Sequence, residues 1–243
     1  MRSNFLTAAL AMEMIACAAP SPLAGTTHEK HVKRAPAYHV FTGDGHHWPG
    51  KSAWASFDTM WANSQPVMAV SCTQFGQANN APTEVECIRN AIIETGASSG
   101  VDPRFILAIV MQESGGCVRA PTTIGSYPNP GLMQDHNGVH SCNNGGAVQN
   151  PCSADTIAGM IHEGTRGTAS GDGLQQLLEQ VGETHTAHSA YIAARMYNSG
   201  SYARGTDLSA PEWGTSCYVS DVANRLLGWS APVTPCNFHN PHH

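Results

Sequence analysis

Lysine is almost missing from this chain. Only 12% of its 243 residues are charged, and from Ala35 onward Lys51 is the single lysine among eight Lys and Arg, set against sixteen Asp and Glu. A surface so poor in cations is not built to neutralise a phosphate backbone, so nucleic acid is not expected as a partner. Long apolar runs are also absent, and the hydrophobic stretch near the N-terminus is too short for a membrane span. There is no Cys-x-x-Cys pair, no other metal-spaced cluster and no glycine-rich phosphate loop, so neither a metal nor another cofactor is expected. Asn-x-Ser/Thr sequons are absent, which excludes N-glycans. Period-two alternation is nearly absent as well, which argues against a sheet-built fold.

Of what is present, the first stretch, MRSNFLTAALAMEMIACAAP, has a basic start, an apolar middle and small residues at Ala16-Cys17-Ala18. It reads as a secretory signal over residues 1–18, although Glu13 interrupts it, and implies an extracellular destination. Lys33-Arg34 marks a candidate processing site, with residues 19–34 as a propeptide. Eight cysteines suit an oxidising compartment. If Cys17 leaves with the signal, seven remain: Cys72, Cys87, Cys117, Cys142, Cys152, Cys217 and Cys236. An odd number leaves one thiol free or paired between molecules. Loops rich in Asn, Gly, Pro or Ser favour Cys142–Cys152 and Cys217–Cys236. Eleven histidines after Ala35 would reverse the net charge on acidification, as in an enzyme working in acidic surroundings. Scattered surface histidines without a role are an equal reading, and the pairs His46-His47 and His242-His243 fix no coordination geometry.

Residues 35–82 read as a loop-rich extension with TGDGHHWPG as a turn cluster. Within it Trp54, Phe57 and Trp61 fall at helical spacing, a stripe expected to pack against the main domain, with a sugar platform as the alternative. Residues 83–243 form that domain and its C-terminal tail. Helices are expected over TEVECIRNAIIETG, capped at Thr83 and closed at Gly96, and over VDPRFILAIVMQES, with Asp102 as N-cap and Pro103 at the first helical position. SADTIAGMIHEGT, GLQQLLEQVG, HTAHSAYIAARMYNSG and SCYVSDVANRLLGW supply four more. The class is mostly α, and a monomer is expected.

One helix ends strangely. In FILAIVMQESGGC seven apolar residues lead, after one glutamine, to Glu113, and two glycines then stop the pattern. Ile106, Ile109 and Val110 share a face with Glu113, so the carboxyl continues an inward stripe. Desolvation there raises its pKa, a known route to a general acid. The partial negative charge of a helix C-terminus pushes the same way.

Two later stretches add to this. Gly131-Leu132-Met133-Gln134 follows Glu113 by about twenty residues, and Tyr197-Asn198 closes the fifth of these helices. Glu-Ser, Gly-Leu-Met-Gln and Tyr-Asn-x-Gly in that order resemble the soluble lytic transglycosylase and goose-type lysozyme family, over roughly Thr83 to Trp229, with secreted fungal members as the nearest type. The resemblance implies a lysozyme-like helical domain whose cleft binds β-1,4-linked amino sugars such as peptidoglycan. It implies Glu113 as catalytic acid, Ser114 helping to hold its carboxyl, and Met133 and Gln134 on the cleft floor with Gly131 and Leu132. Tyr197 would bring its hydroxyl near the acid, with Asn198 beside it.

A hydrolase of this kind wants a second carboxylate, whereas a lytic transglycosylase turns the same glutamate from acid to base and closes a 1,6-anhydro ring. No Asp or Glu lies between Glu113 and Gly131, and Asp135 stands one place earlier than the second aspartate of goose-type lysozymes. Asp155, Glu163 and Asp172 are remoter candidates that read as solvated surface charges. Chitin is the alternative substrate. A secreted glycan-binding protein without turnover is the alternative from another class, and a structural protein is a third reading with nothing specific behind it.

Overall fold

The computed structural model of the protein describes Cys17, residues 36–182 and residues 186–237. Apart from Cys17, the expected signal, the propeptide and Lys33-Arg34 lie outside the described residues, as does His242-His243. Seven α-helices carry the described chain: α1 (Phe57–Met68), α2 (Pro82–Ser99), α3 (Pro103–Glu113), α4 (Ala154–Arg166), α5 (Leu174–Val181), α6 (Ala187–Ser199) and α7 (Tyr218–Leu226). Two antiparallel hairpins, β1 (Thr123–Ile124) with β2 (Pro128–Asn129) and β3 (Asn143–Asn144) with β4 (Ala147–Val148), complete it. The class is mostly α, and among the described residues no helix is long and apolar enough to cross a membrane.

Capping explains most of the helix starts. Asp102 accepts the Arg104 amide at 3.0 Å and Pro103 opens α3, as the residues predict. The start of α2 lies one residue before Thr83, where the Glu84 carboxylate reaches back to the Ala81 amide at 2.7 Å. That helix also runs past Gly96 to Gly100, which takes the left-handed conformation at φ 75°. Gly96 is there for closeness, because a methyl group on it would come within 2.8 Å of Pro103 Cγ.

At the centre lies α3, wrapped by α1, α2 and α7. Every residue from Phe105 to Met111 is at most 3% exposed, so the expected stripe is in fact a helix buried all round. The N-terminal extension contributes to the same core. Trp54 and Trp61 are buried with Trp48, and Phe57 packs partly buried beside them, so the buried tryptophans offer no platform to a sugar. Beneath α2 the Arg119 guanidinium donates to both Glu84 carboxylate oxygens, at 2.6 and 2.8 Å, with both side chains at most 3% exposed.

The cysteines correct one expectation. Cys142–Cys152 and Cys217–Cys236 are bonded as expected, and Cys72–Cys117 is a third bridge. No thiol among the described residues is left over, because Cys17 is bonded to Cys87 on α2. A residue assigned by pattern to a discarded segment is thus tied to the core.

Candidate active site

Glu113 is the last residue of α3. The chain turns away at once through Gly115 (φ 62°) and Gly116 (φ 78°), and a methyl group on Gly116 would meet Met68 Cγ at 2.6 Å. Glycine is needed there for both conformation and space. Glu113 as a whole is half-buried there. Burial pushes its pKa up to about 7, against the opposing effect of a hydrogen bond from the Tyr218 hydroxyl to Oε1. Tyr218 is 3% exposed, and its own pKa is raised well above the ordinary value by burial and by the Glu113 charge. It is therefore a neutral donor at any working pH.

Tyr218 opens α7, and Asp221 and Arg225 follow it at helical spacing toward the end of α3. Gln112 bridges them: its amide nitrogen donates to Asp221 Oδ2 at 3.3 Å and its carbonyl accepts from Arg225 Nε at 2.9 Å. Asp221 Oδ1 also accepts from Tyr38 at 2.5 Å and Thr234 at 2.6 Å. A small pocket of about 130 Å³ opens between these elements, lined by Gln112, Glu113, Ser114, Asp221, Arg225 and Thr234 among others.

The Gly-Leu-Met-Gln stretch, expected on a cleft floor, does not line this pocket and packs behind Ser114. Ser114 Oγ donates to the Leu132 carbonyl at 2.8 Å, and the Tyr197 hydroxyl donates to the Met133 carbonyl at 2.8 Å. Gly131 takes φ 74° against Met160, and Leu132 and Met133 are fully buried. These contacts give Ser114 a different partner from the one expected. Ser114 holds the backbone of Leu132 rather than the Glu113 carboxyl. Tyr197 donates to the same stretch from α6 while lying within electrostatic reach of the acid, and the phenol bonded to the acid is Tyr218. Asn198 accepts from Arg195 and, at 2.7 Å, from the Thr215 amide, which anchors the approach to α7. Gln134 is folded inward: its amide nitrogen donates to Gly131 O at 2.9 Å and Pro121 O at 3.2 Å, and its oxygen accepts from Thr123 at 2.9 Å.

Asp135 is 4% exposed, and neither of its carboxylate oxygens has a hydrogen-bond partner. Burial, then the nearby Glu163 charge, pushes its pKa up to about 8. Tyr197 is raised by burial and further by both Asp135 and Glu113, which places it within electrostatic reach of the two acids. Of the remoter carboxylates, Asp155 and Asp172 are exposed as expected. Glu163 is not a surface charge, since it is 9% exposed, accepts from the Val139 and His140 amides, and pairs with His140 Nδ1 at 2.8 Å. Among the described residues no group of three or more His, Cys, Asp or Glu is arranged to hold a metal, and His46 stacks on His188.

Sequence reasoning missed Tyr218. Its only signal was a place directly after Cys217, at the head of a helix already expected. The arrangement amounts to one carboxyl that exchanges its proton near neutrality, fixed by a neutral phenol at the edge of a pocket. Set against protein-family models, curated proteins and solved structures, the chain matches none.

Proposed function

We propose that this chain is a secreted enzyme that cleaves β-1,4-linked N-acetylated amino-sugar chains, with peptidoglycan as substrate and Glu113 as general acid and then base. The observation that carries this reading is Glu113 itself: a glutamate raised to about 7, at the end of a fully buried helix, held by Tyr218 and facing a pocket. Such an acid is half protonated at neutral pH, where proton donation and recovery are both favourable. The resemblance to lytic transglycosylases and goose-type lysozymes in three ordered motifs supports the same substrate class. Four disulfides suit an extracellular site of action.

In this reading Glu113 gives its proton to the glycosidic oxygen as the bond from that oxygen to C1 breaks. The resulting carboxylate then takes the proton of the sugar's own 6-hydroxyl while O6 bonds to C1, leaving a 1,6-anhydro end. The state of Asp135 favours this course over hydrolysis. A second carboxylate serves hydrolysis as an ionised base or nucleophile, whereas Asp135 is sealed from solvent and biased toward its neutral form.

The test is mass spectrometry of soluble products from purified peptidoglycan, with Glu113→Gln as the blank. Fragments one water lighter than reducing-end fragments, absent from the blank, are expected. Reducing ends would instead point to hydrolysis, and equal release by Glu113→Gln would end the proposal.

A further inference from the structure

From Ala35 onward one lysine remains, Lys51, and it stands at the mouth of a pocket that does not include Glu113. The pocket, of about 420 Å³, opens at the start of α3, the helix whose other end carries the acid. Trp54, Val101, Phe105, Leu178 and Ala190, all buried, line its floor. Ile93 and Ala97 stand exposed on its rim, one turn apart on α2.

The charges at the mouth do not cancel. Among the described residues Asp102 is the one carboxylate that lines the pocket, and Arg104 already takes both of its oxygens, at 3.0 and 2.6 Å. Lys51 Nζ lies 4.0 Å from the same group, beyond hydrogen-bond distance, and its side chain is 32% exposed. Both cations flank the Trp54 ring, with Lys51 Nζ 5.5 Å and Arg104 Cζ 4.9 Å from its centroid. Two cations against one carboxylate leave one positive charge, on a side chain that solvent and a ligand can reach. In a chain where acids outnumber cations two to one after Ala35, that excess is out of keeping with the rest of the surface. An apolar floor alone accepts any greasy body, whereas a cation fixed at its edge selects for an anion at one end of that body.

We propose that this pocket is a second ligand site, for a free aliphatic carboxylate. The hydrocarbon tail lies on Trp54, Phe105 and Leu178, and the carboxylate accepts from Lys51 Nζ. Its volume of about 420 Å³ falls within the range of small-ligand sites, about 300–1,000 Å³. Burial of the tail supplies most of the affinity, and the charge-assisted bond sets orientation and preference. The site goes beyond the glycan-cleaving reading and stands apart from it.

The test is calorimetry at pH 7 on the whole chain with octanoate, octanamide, octylammonium and acetate, which separate the tail from its charge. Octanoate should bind about tenfold tighter or more than octanamide, the scale of one charge-assisted hydrogen bond. Octylammonium should bind more weakly still, and acetate not measurably. Lys51→Gln should bring octanoate within about twofold of octanamide. Ala97→Trp, at an exposed position, should fill the mouth and abolish binding of both, with release from peptidoglycan unchanged. Equal affinity of the parent chain for the acid and its amide would overturn the proposal, and this arm needs no variant to fold. Octanoate binding that survives Ala97→Trp would overturn it as well, since the ligand would then sit elsewhere. Retention on phosphatidylglycerol vesicles without binding of free octanoate would mean that the patch meets a membrane, and would also overturn it. None of these results bears on Glu113, whose test is product release.

Discussion

Glu113 and Asp135 are both acids made weaker by burial, but their environments assign them different work. Glu113 touches a pocket and a phenol, so its proton can leave and return. The rate on peptidoglycan should therefore fall as pH rises through about 7, because the donor form is lost. Tyr218 stabilises the charged carboxylate, so Tyr218→Phe should move that falling limb to higher pH while lowering the maximal rate about tenfold. A limb that moves down, or not at all, would refute this role for Tyr218. Asp135 has no such outlet. Its folded pKa is raised from 3.8 to about 8, so its contribution to stability is complete below 3.8 and lost as pH rises through 8. Asp135→Asn should flatten the decline of Tm between pH 4 and 8, leaving the part due to Glu113, and melt higher than the parent at pH 7. An unchanged slope would mean that the carboxyl is not held neutral. At this scale the raised pKa of Glu113 was legible, because the residue continues the apolar face of Ile106, Ile109 and Val110, although a helix-end glutamate is more often solvated. Tyr218 was not, since its partner lies on another helix 105 positions earlier and only packing joins them.

Helix starts were legible where a side chain or proline fixes them, as at Asp102 and Pro103, and α2 shows why an end is harder to read. Gly96 is punctuation in the sequence and a contact point in the structure. The same ambiguity governs how α4 meets the Gly-Leu-Met-Gln stretch. A methyl group on Gly164 would come within 2.5 Å of Met133 Cβ, and Gly131 faces Met160 of the same helix. Small residues here let a helix press directly on that stretch. Helix propensity alone predicts that Gly164→Ala adds about 1 kcal/mol of stability. We expect the opposite, a lower Tm with reduced activity, because Met133 has to move. A variant that melts higher with full activity would show the seat to be loose.

Across the whole molecule, charge is scarce and its buried part is concentrated. The Arg119–Glu84 pair holds the start of α2 to the loop that follows α3, with Arg119 also donating to the Ala78 and Asn79 carbonyls and Glu84 accepting the Cys152 amide at 2.7 Å. Burial by itself would raise the Glu84 pKa, but the bonds from Arg119 and the amides outweigh it and hold the carboxyl below 4.5. Its stabilisation is therefore present above 4.5 and fades as pH drops through the lowered value. Glu84→Gln leaves a buried cation half matched and should cost about 3–5 kcal/mol, measurable by urea unfolding at pH 7. A cost below about 1 kcal/mol would mean that the pair is solvated. None of this was visible in the chain, where Glu84 and Arg119 stand in unrelated contexts.

The Cys217–Cys236 bridge has one more consequence. Cys217 precedes Tyr218 directly and takes a left-handed conformation, φ 68°, that residues with a side chain seldom adopt unaided. The phenol that steadies the acid is therefore aimed by a crosslink that forms only where thiols are oxidised. Inside a reducing cytoplasm the chain keeps its glutamate but loses the strap that aims its partner. Under the function proposed above, oxidation of this one pair of thiols would act as a safety catch on the acid.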